Sequence, residues 1–223
     1  MKKFKTKSEL EKQLSSDIIS WINQAIIEYG SAHLLLSGGS TPLDLYSLIG
    51  ENNLDPKKVK IGLVDERFVP YESEFNNQHN IETALNKSGK SLITVVPMVI
   101  NGSDSEENLR LVNESYKPFF ERIDFCILGM GEDGHTASIF PDDEASNDLI
   151  THTTKGIFNT SAPNYPNERI SCNKVMLTDS KNMVLMLVGD KKMKAYENAI
   201  LYNLPISHFA NGKNELTIYM STL

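Results

Sequence analysis

Five short apolar runs constrain this chain more than any other feature: HLLLS (33–37), VKIGLV (59–64), ITVVPMV (93–99), DFCILG (124–129) and NMVLMLVG (182–189). Each is followed by turn residues or by apolar residues at helical spacing, which suits strands buried on both faces. Leu10, Leu14, Ile18, Trp21 and Ala25 repeat at helical spacing behind a Ser8/Glu11 capping-box pattern. Ser103 and Glu106 precede Leu109, Val112, Tyr116 and Phe119 in the same way, and 191–201 suits a helix carrying Met193, Ala199 and Ile200. Strand and helix alternate without an internal repeat or a linker. The pattern predicts a doubly wound, largely parallel α/β sheet flanked by helices, Rossmann-like, in a single domain over 1–223.

Composition narrows the partners. With 40% hydrophobic and 23% charged residues the chain reads as an ordinary globular protein. A net charge of −7 and a pI near 5.3 argue against a nucleic-acid or anionic-membrane partner, because such binding needs clustered cations. Any anionic substrate must therefore meet a local patch. Cys126 and Cys172 sit beside apolar residues with no CxxC or Cys/His ligand spacing, and read as core thiols. The basic N-terminus MKKFKTKSELEKQL has no apolar signal core after it, and no run approaches the ~20 apolar residues of a membrane span. A cytoplasmic protein with no membrane contact is expected.

In a sheet of this kind ligands bind beyond the carboxyl ends of strands, so the strand exits are where chemistry should lie. At the first exit Gly38 and Gly39 allow a tight turn, Thr41 is placed as an N-cap and Pro42 as the first helical residue. Ser37, Ser40 and Thr41 add hydroxyls, so the segment can cradle an anion at a helix start, or it is simply a tight strand-to-helix turn. At the second exit Asp65, Glu66 and Arg67 follow an apolar run; they form either a solvated loop with an internal ion pair or a contact for an anion or carbonyl. The third exit, DFCILGMGEDGHTASIFP (124–141), sets Asp133 and His135 among Gly129, Gly131 and Gly134. A carboxylate two residues before a histidine can hold the ring's tautomer or orientation, and a histidine so held can act as a general base. His33, His79, His152 and His208 lack such neighbours and read as structural. Arg169 in PNERIS and Lys192 in GDKKMKAY are isolated cations of the kind usually found at the surface. No HExxH, clustered histidines or paired thiolates suggest a metal.

Taken in order, LSGGSTP (36–42), VDERFVP (64–70) with Asn77 after it, LGMGEDGHTASIFP (128–141), RIS (169–171) and GDKK (189–192) resemble the glucosamine-6-phosphate isomerase/6-phosphogluconolactonase superfamily, and within it the bacterial 6-phosphogluconolactonases. The resemblance runs from about residue 34 to 200, and GMGxDGHTAS is its most specific segment. Outside these anchors it weakens: the C-terminal ELTIYMSTL lacks the Asp–Ala ending expected of the family. Glucosamine-6-phosphate deaminases share the glycine turn and the DGH segment. They resemble DEY where this chain has Asp65-Glu66-Arg67, and carry an acidic residue where this chain has Phe140.

The resemblance implies hydrolysis of 6-phospho-D-glucono-1,5-lactone to 6-phosphogluconate, the second step of the oxidative pentose phosphate pathway. It implies that Ser37, Gly38, Gly39, Ser40 and Thr41 receive the 6-phosphate with charge from Arg169 and Lys192, and that Asp65 and Asn77 also contact substrate. Lys192 is preferred to Lys191 on its spacing from Gly189. His135 would be the general base and Asp133 its orienting group; Arg67 would either stabilise the oxyanion or hold sugar hydroxyls. No metal or organic cofactor is implied, and the only partner is the sugar-phosphate lactone, taken by a monomer or weak homo-oligomer. Two other readings stand beside this one: a deaminase-like enzyme, and a sugar-phosphate-binding protein of the same fold without catalysis.

Overall fold

The structure, a computed structural model, describes residues 1–90, 92–210 and 214–222. Six strands form one parallel sheet in the order β1 (Lys2–Phe4), β9 (Leu216–Ser221), β8 (Asn182–Val188), β5 (Phe125–Leu128), β2 (Ala32–Leu36), β3 (Val59–Leu63). Every residue of β2 and β5 is buried, as strands covered on both faces require. The α-helices are α1 (Lys7–Tyr29), α2 (Leu43–Gly50), α3 (Asn77–Asn86), α4 (Ser105–Ser115), α5 (Lys117–Glu121), α6 (Glu144–Thr151), α7 (Lys174–Thr178) and α8 (Asp190–Leu201). The fold is thus the doubly wound α/β class. Burial of each large aliphatic side chain along the central strands contributes on the order of 1.5–3 kcal/mol. Cys126 and Cys172 are free thiols inside this core. Among the described residues no helix is long and apolar enough to cross a membrane.

From β2 the chain passes through α2 to β3 on one side, and later returns to place β5 on the other. The winding of the chain across the parallel sheet therefore reverses between β2 and β5, and their carboxyl ends open a crevice. A second sheet adjoins that end. β4 (Asp65–Arg67), β7 (Glu168–Cys172) and β6 (Ile157–Ser161) pair antiparallel in the order β4-β7-β6. Val64 joins the two sheets: its N–H donates to Leu36 O at 3.0 Å and its carbonyl accepts from Cys172 N at 2.9 Å. The charged DER segment is consequently carried directly over the crevice.

Several local expectations are corrected. The capping box of α1 is Thr6 with Glu9, not Ser8 with Glu11, and Glu11 is instead buried against Lys7 at 3.3 Å. The cap of α4 is Asp104, and Tyr116 interrupts the run so that Phe119 lies in α5. Pro42, not Thr41, takes the N-cap position of α2, without a side-chain cap. ITVVPMV makes only an isolated bridge, Ile61 with Val95. Pro97 has no N–H to give a ladder, and Val95 N–H goes to Glu82 Oε1 at 2.7 Å. Ile93, Val95 and Met98 still bury their side chains. Near the C-terminus β9 lies between β1 and β8, and Ser221 O accepts the Gly189 N–H at 2.9 Å, at the base of α8.

Candidate active site

At the winding reversal lies a cleft of about 300 Å³. The turn after β2 lines it with Ser37, Gly38, Gly39, Ser40, Thr41 and Pro42, and the exit of β5 with Gly129, Met130 and Gly131. His135 and Ala137 come from the loop beyond β5, Asp65 and Arg67 from β4, Asn77 from the start of α3, and Lys192 from the first turn of α8. Among the residues singled out from sequence, Asp133 and Arg169 do not line the cleft. Each instead touches or faces a residue that does.

The loop from Gly129 to Phe140 is held mainly by its own backbone. Gly131 N–H donates to His135 O at 2.9 Å, and the Thr136 hydroxyl donates to Gly129 O at 2.8 Å. Asp133 Oδ1 accepts the His135 backbone N–H at 3.1 Å and lies 2.6 Å from ring Nδ1. A proton on Nδ1 satisfies this contact and leaves the Nε2 lone pair free, the tautomer a base requires. Burial opposes ionisation of Asp133, but the hydrogen bonds from the His135 ring and backbone N–H outweigh it and hold the carboxyl below its ordinary value. The His135 side chain is 34% exposed, so a water molecule can reach it. Gly131 makes this pair possible: a Cβ there would lie 2.2 Å from His135 Nδ1 and 2.3 Å from Asp133 Oδ1. Phe140 places its ring 4.7 Å from the imidazole, centroid to centroid.

The DER segment is a strand of the second sheet, not a solvated loop, and no ion pair joins its charges among the described residues. Its three side chains take separate roles. Glu66 is 1% exposed and accepts the N–H groups of Arg67 (2.7 Å), Asn77 (2.9 Å) and Gln78 (2.8 Å), so it caps α3 from outside the helix. Burial pushes its carboxyl up to about 7 against those donors. Asp65 faces the cleft and accepts the Ser138 hydroxyl at 2.6 Å. Arg67 donates through Nη1 to Phe75 O at 2.7 Å, while its Nε is buried with no partner among the described residues. Asn77 donates to Asp65 O at 3.0 Å and keeps its Oδ1 without a partner, pressed against Gly38. A Cβ at Gly38 would come within 1.8 Å of that oxygen. Two buried polar atoms beside the cleft, Arg67 Nε and Asn77 Oδ1, are thus without a partner among the described residues.

Lys192 reaches across from α8 and donates to Met130 O at 2.7 Å; Lys191 does not line the cleft. Arg169 stands opposite Arg67 on β7 and donates through Nε to Pro166 O at 2.8 Å. Sequence reading passed over Ser138, whose backbone N–H donates to Ser171 Oγ at 3.3 Å while its hydroxyl holds Asp65. Its place three residues after His135 was the only local signal. No group of three or more His, Cys, Asp or Glu side chains that could hold a metal ion occurs among the described residues.

Residues 5–218 match the family model for glucosamine-6-phosphate isomerases/6-phosphogluconolactonase. The chain is 31% identical over 197 residues to a 6-phosphogluconolactonase of Rhizobium meliloti, covering 88% of this chain and 85% of that protein. With a 6-phosphogluconolactonase of Helicobacter pylori it shares 28% identity over 221 residues, 96% of this chain and 94% of the other. The crystal structure of a 6-phosphogluconolactonase from Shewanella baltica superimposes with a TM-score of 0.90 at 32% identity, covering 99% of this chain and 96% of that one.

Proposed function

The chain belongs to the glucosamine-6-phosphate isomerase/6-phosphogluconolactonase family, and on that premise we propose that it hydrolyses 6-phospho-D-glucono-1,5-lactone to 6-phosphogluconate. The observation that carries the reading is the Asp133–His135 pair, at 2.6 Å, beside a cleft lined by a two-glycine, hydroxyl-bearing turn. His135 Nε2 takes a proton from water as the water oxygen attacks the lactone carbonyl. Asp133 holds Nδ1–H and stabilises the imidazolium that forms. Arg67, whose side chain lines the cleft, offers a guanidinium donor to the developing oxyanion. Collapse of the tetrahedral intermediate breaks the bond from the carbonyl carbon to the ring oxygen, and the imidazolium returns its proton to that oxygen.

The 6-phosphate would sit against residues 37–41, with Lys192 exchanging Met130 O for a phosphate oxygen. Asp65 would accept a sugar hydroxyl, Asn77 would contact the substrate from the cleft wall, and Arg169 would add charge from behind Arg67. A dianion meets these groups locally, so the net charge of −7 does not oppose binding. The enzyme would act in the cytoplasm as a monomer or weak homo-oligomer, in the oxidative pentose phosphate pathway, with no metal or organic cofactor in any step. Phe140 favours the lactonase over the deaminase reading, because its ring covers the imidazole where a deaminase carries a carboxylate.

The deciding experiment measures lactone hydrolysis above the uncatalysed background, with ammonia release from glucosamine 6-phosphate followed in parallel. Catalysed lactone opening without ammonia is the expected result. Ammonia at a comparable rate would move the chain to the deaminases, and neither product would leave a binding protein.

A further inference from the structure

Arg67 and Arg169 are Cα partners on the antiparallel β4–β7 pair, so their side chains leave the sheet on the same face. Like charges so placed repel each other. Burial, and then the charge of Arg67, holds the Arg169 guanidinium below its ordinary pKa. Each arginine is tethered by one carbonyl: Arg67 Nη1 donates to Phe75 O at 2.7 Å, and Arg169 Nε to Pro166 O at 2.8 Å. The two carbonyls belong to separate loops, one between β4 and α3 and the other between β6 and β7.

Those loops meet through two rings. Phe75 and Tyr165 stand edge to face, with centroids 5.7 Å apart and planes at 87°. Phe75 is 37% exposed and Tyr165 73%, so the contact lies outside the core. Two large exposed aromatics that touch each other, each within one residue of a carbonyl holding an arginine, need a purpose beyond stability.

We propose that Phe75 and Tyr165 are positioning residues: their contact clasps the two loops and holds Arg67 and Arg169 side by side, ready for a phosphate- or carboxylate-bearing sugar anion. Each guanidinium ends a flexible side chain whose freedom would otherwise be lost when the anion binds. The clasp imposes that order beforehand. In its kinetic consequences, the proposal rests on the lactonase reading.

The test uses Phe75→Ala, Tyr165→Ala, the double variant and Tyr165→Phe. Each alanine variant should raise KM for the lactone about 2- to 10-fold, the equilibrium factor of one edge-to-face aromatic contact, with kcat falling by no more than the same factor, since Arg67 also faces the oxyanion. The double variant should be no worse than the worse single one, since both remove the same contact. Tyr165→Phe keeps the ring and should restore wild-type KM. Unfolding temperatures should fall by no more than a few degrees, the cost of one exposed ring contact, because neither ring belongs to the core. Calorimetric titration with 6-phosphogluconate and with inorganic phosphate gives a second readout that needs no turnover. Weakened anion binding in the variants of a protein that fails to open the lactone would sink the lactonase reading and keep the clasp. Unchanged KM and anion affinity in both alanine variants, losses that multiply in the double variant, or no anion binding by the wild-type protein would each overturn the clasp.

Discussion

Replacing Gly131 by alanine should disable the proposed base without altering any ionisable residue. Gly131 is absent from the positive-φ positions, so alanine brings no left-handed strain there. The cost is one of contact. The new Cβ would stand 2.2 Å from His135 Nδ1 and 2.3 Å from Asp133 Oδ1, whereas ordinary van der Waals contact begins at 3.4 Å, so the pair must retreat by about 1.2 Å. Misplacement of a catalytic group by about 1 Å can cost on the order of 10²-fold, and complete loss of a general base about 10²–10⁴-fold. Gly131→Ala should therefore lower kcat about 10²-fold. KM should change less than about threefold, because the 37–41 turn belongs to another strand exit. Lactone opening yields an acid, so proton release in weak buffer reports the rate once spontaneous opening is subtracted at each substrate concentration. His135→Ala combined with Gly131→Ala should be no slower than His135→Ala alone, since the same group has already been lost. A Gly131→Ala enzyme turning over within about threefold of wild type, or losses that multiply in the double variant, would refute this account of the loop.

Three further outcomes follow from the same geometry. His135→Ala should lower turnover about 10²–10⁴-fold with phosphate inhibition retained, and Asp133→Asn should cost less if it only orients the ring, as steady-state kinetics will tell. Lys192→Ala should raise KM and weaken inhibition by inorganic phosphate, while Lys191→Ala, outside the cleft, should leave both unchanged in the same assays. Asp17 anchors the β1–β9 edge through Lys2 at 2.8 Å and through Tyr219. Burial raises its carboxyl, but hydrogen bonds from Lys2, Tyr219 and Gln13 outweigh this and hold it below its ordinary value. A depressed folded-state pKa means that this stabilisation is present above the unfolded value of about 3.9 and is lost as pH falls through the folded value. The difference in unfolding temperature between wild type and Asp17→Asn should thus be full at neutral pH and vanish in acid.

Much of the parallel sheet was legible because its signal is local. HLLLS, VKIGLV, DFCILG and NMVLMLVG became β2, β3, β5 and β8 with shifts of a residue at their ends, since unbroken apolar runs have no other way to bury both faces. ITVVPMV carried the same signal and failed as a strand: Pro97 and the competing acceptor on Glu82 deny it a ladder, although its side chains are buried all the same. The strands β4, β6 and β7 escaped notice because β4 carries only charged residues, β6 and β7 mix polar and apolar ones, and the β4–β7 pairing joins segments far apart in sequence. Helix starts slipped by one or two positions where neighbouring residues competed for one cap, as Thr6 and Ser8 do.

The same division runs through the site. Asp133 and His135 are two residues apart in a glycine-rich turn, so their contact follows from backbone reach, and sequence alone determined it, together with the glycine turn at 37–41. Tertiary structure decided the rest. Only the folding of the second sheet over the crevice makes Glu66 a helix cap, gives Ser138 to Asp65 across 73 residues and sets Arg169 beside Arg67 but outside the cleft, while the start of α8 behind β8 turns Lys192 inward and leaves Lys191 out. Hydrogen bonds and charges act over a few ångströms whatever the separation along the chain, and strand register, which no local pattern encodes, chooses the residues that come within that range.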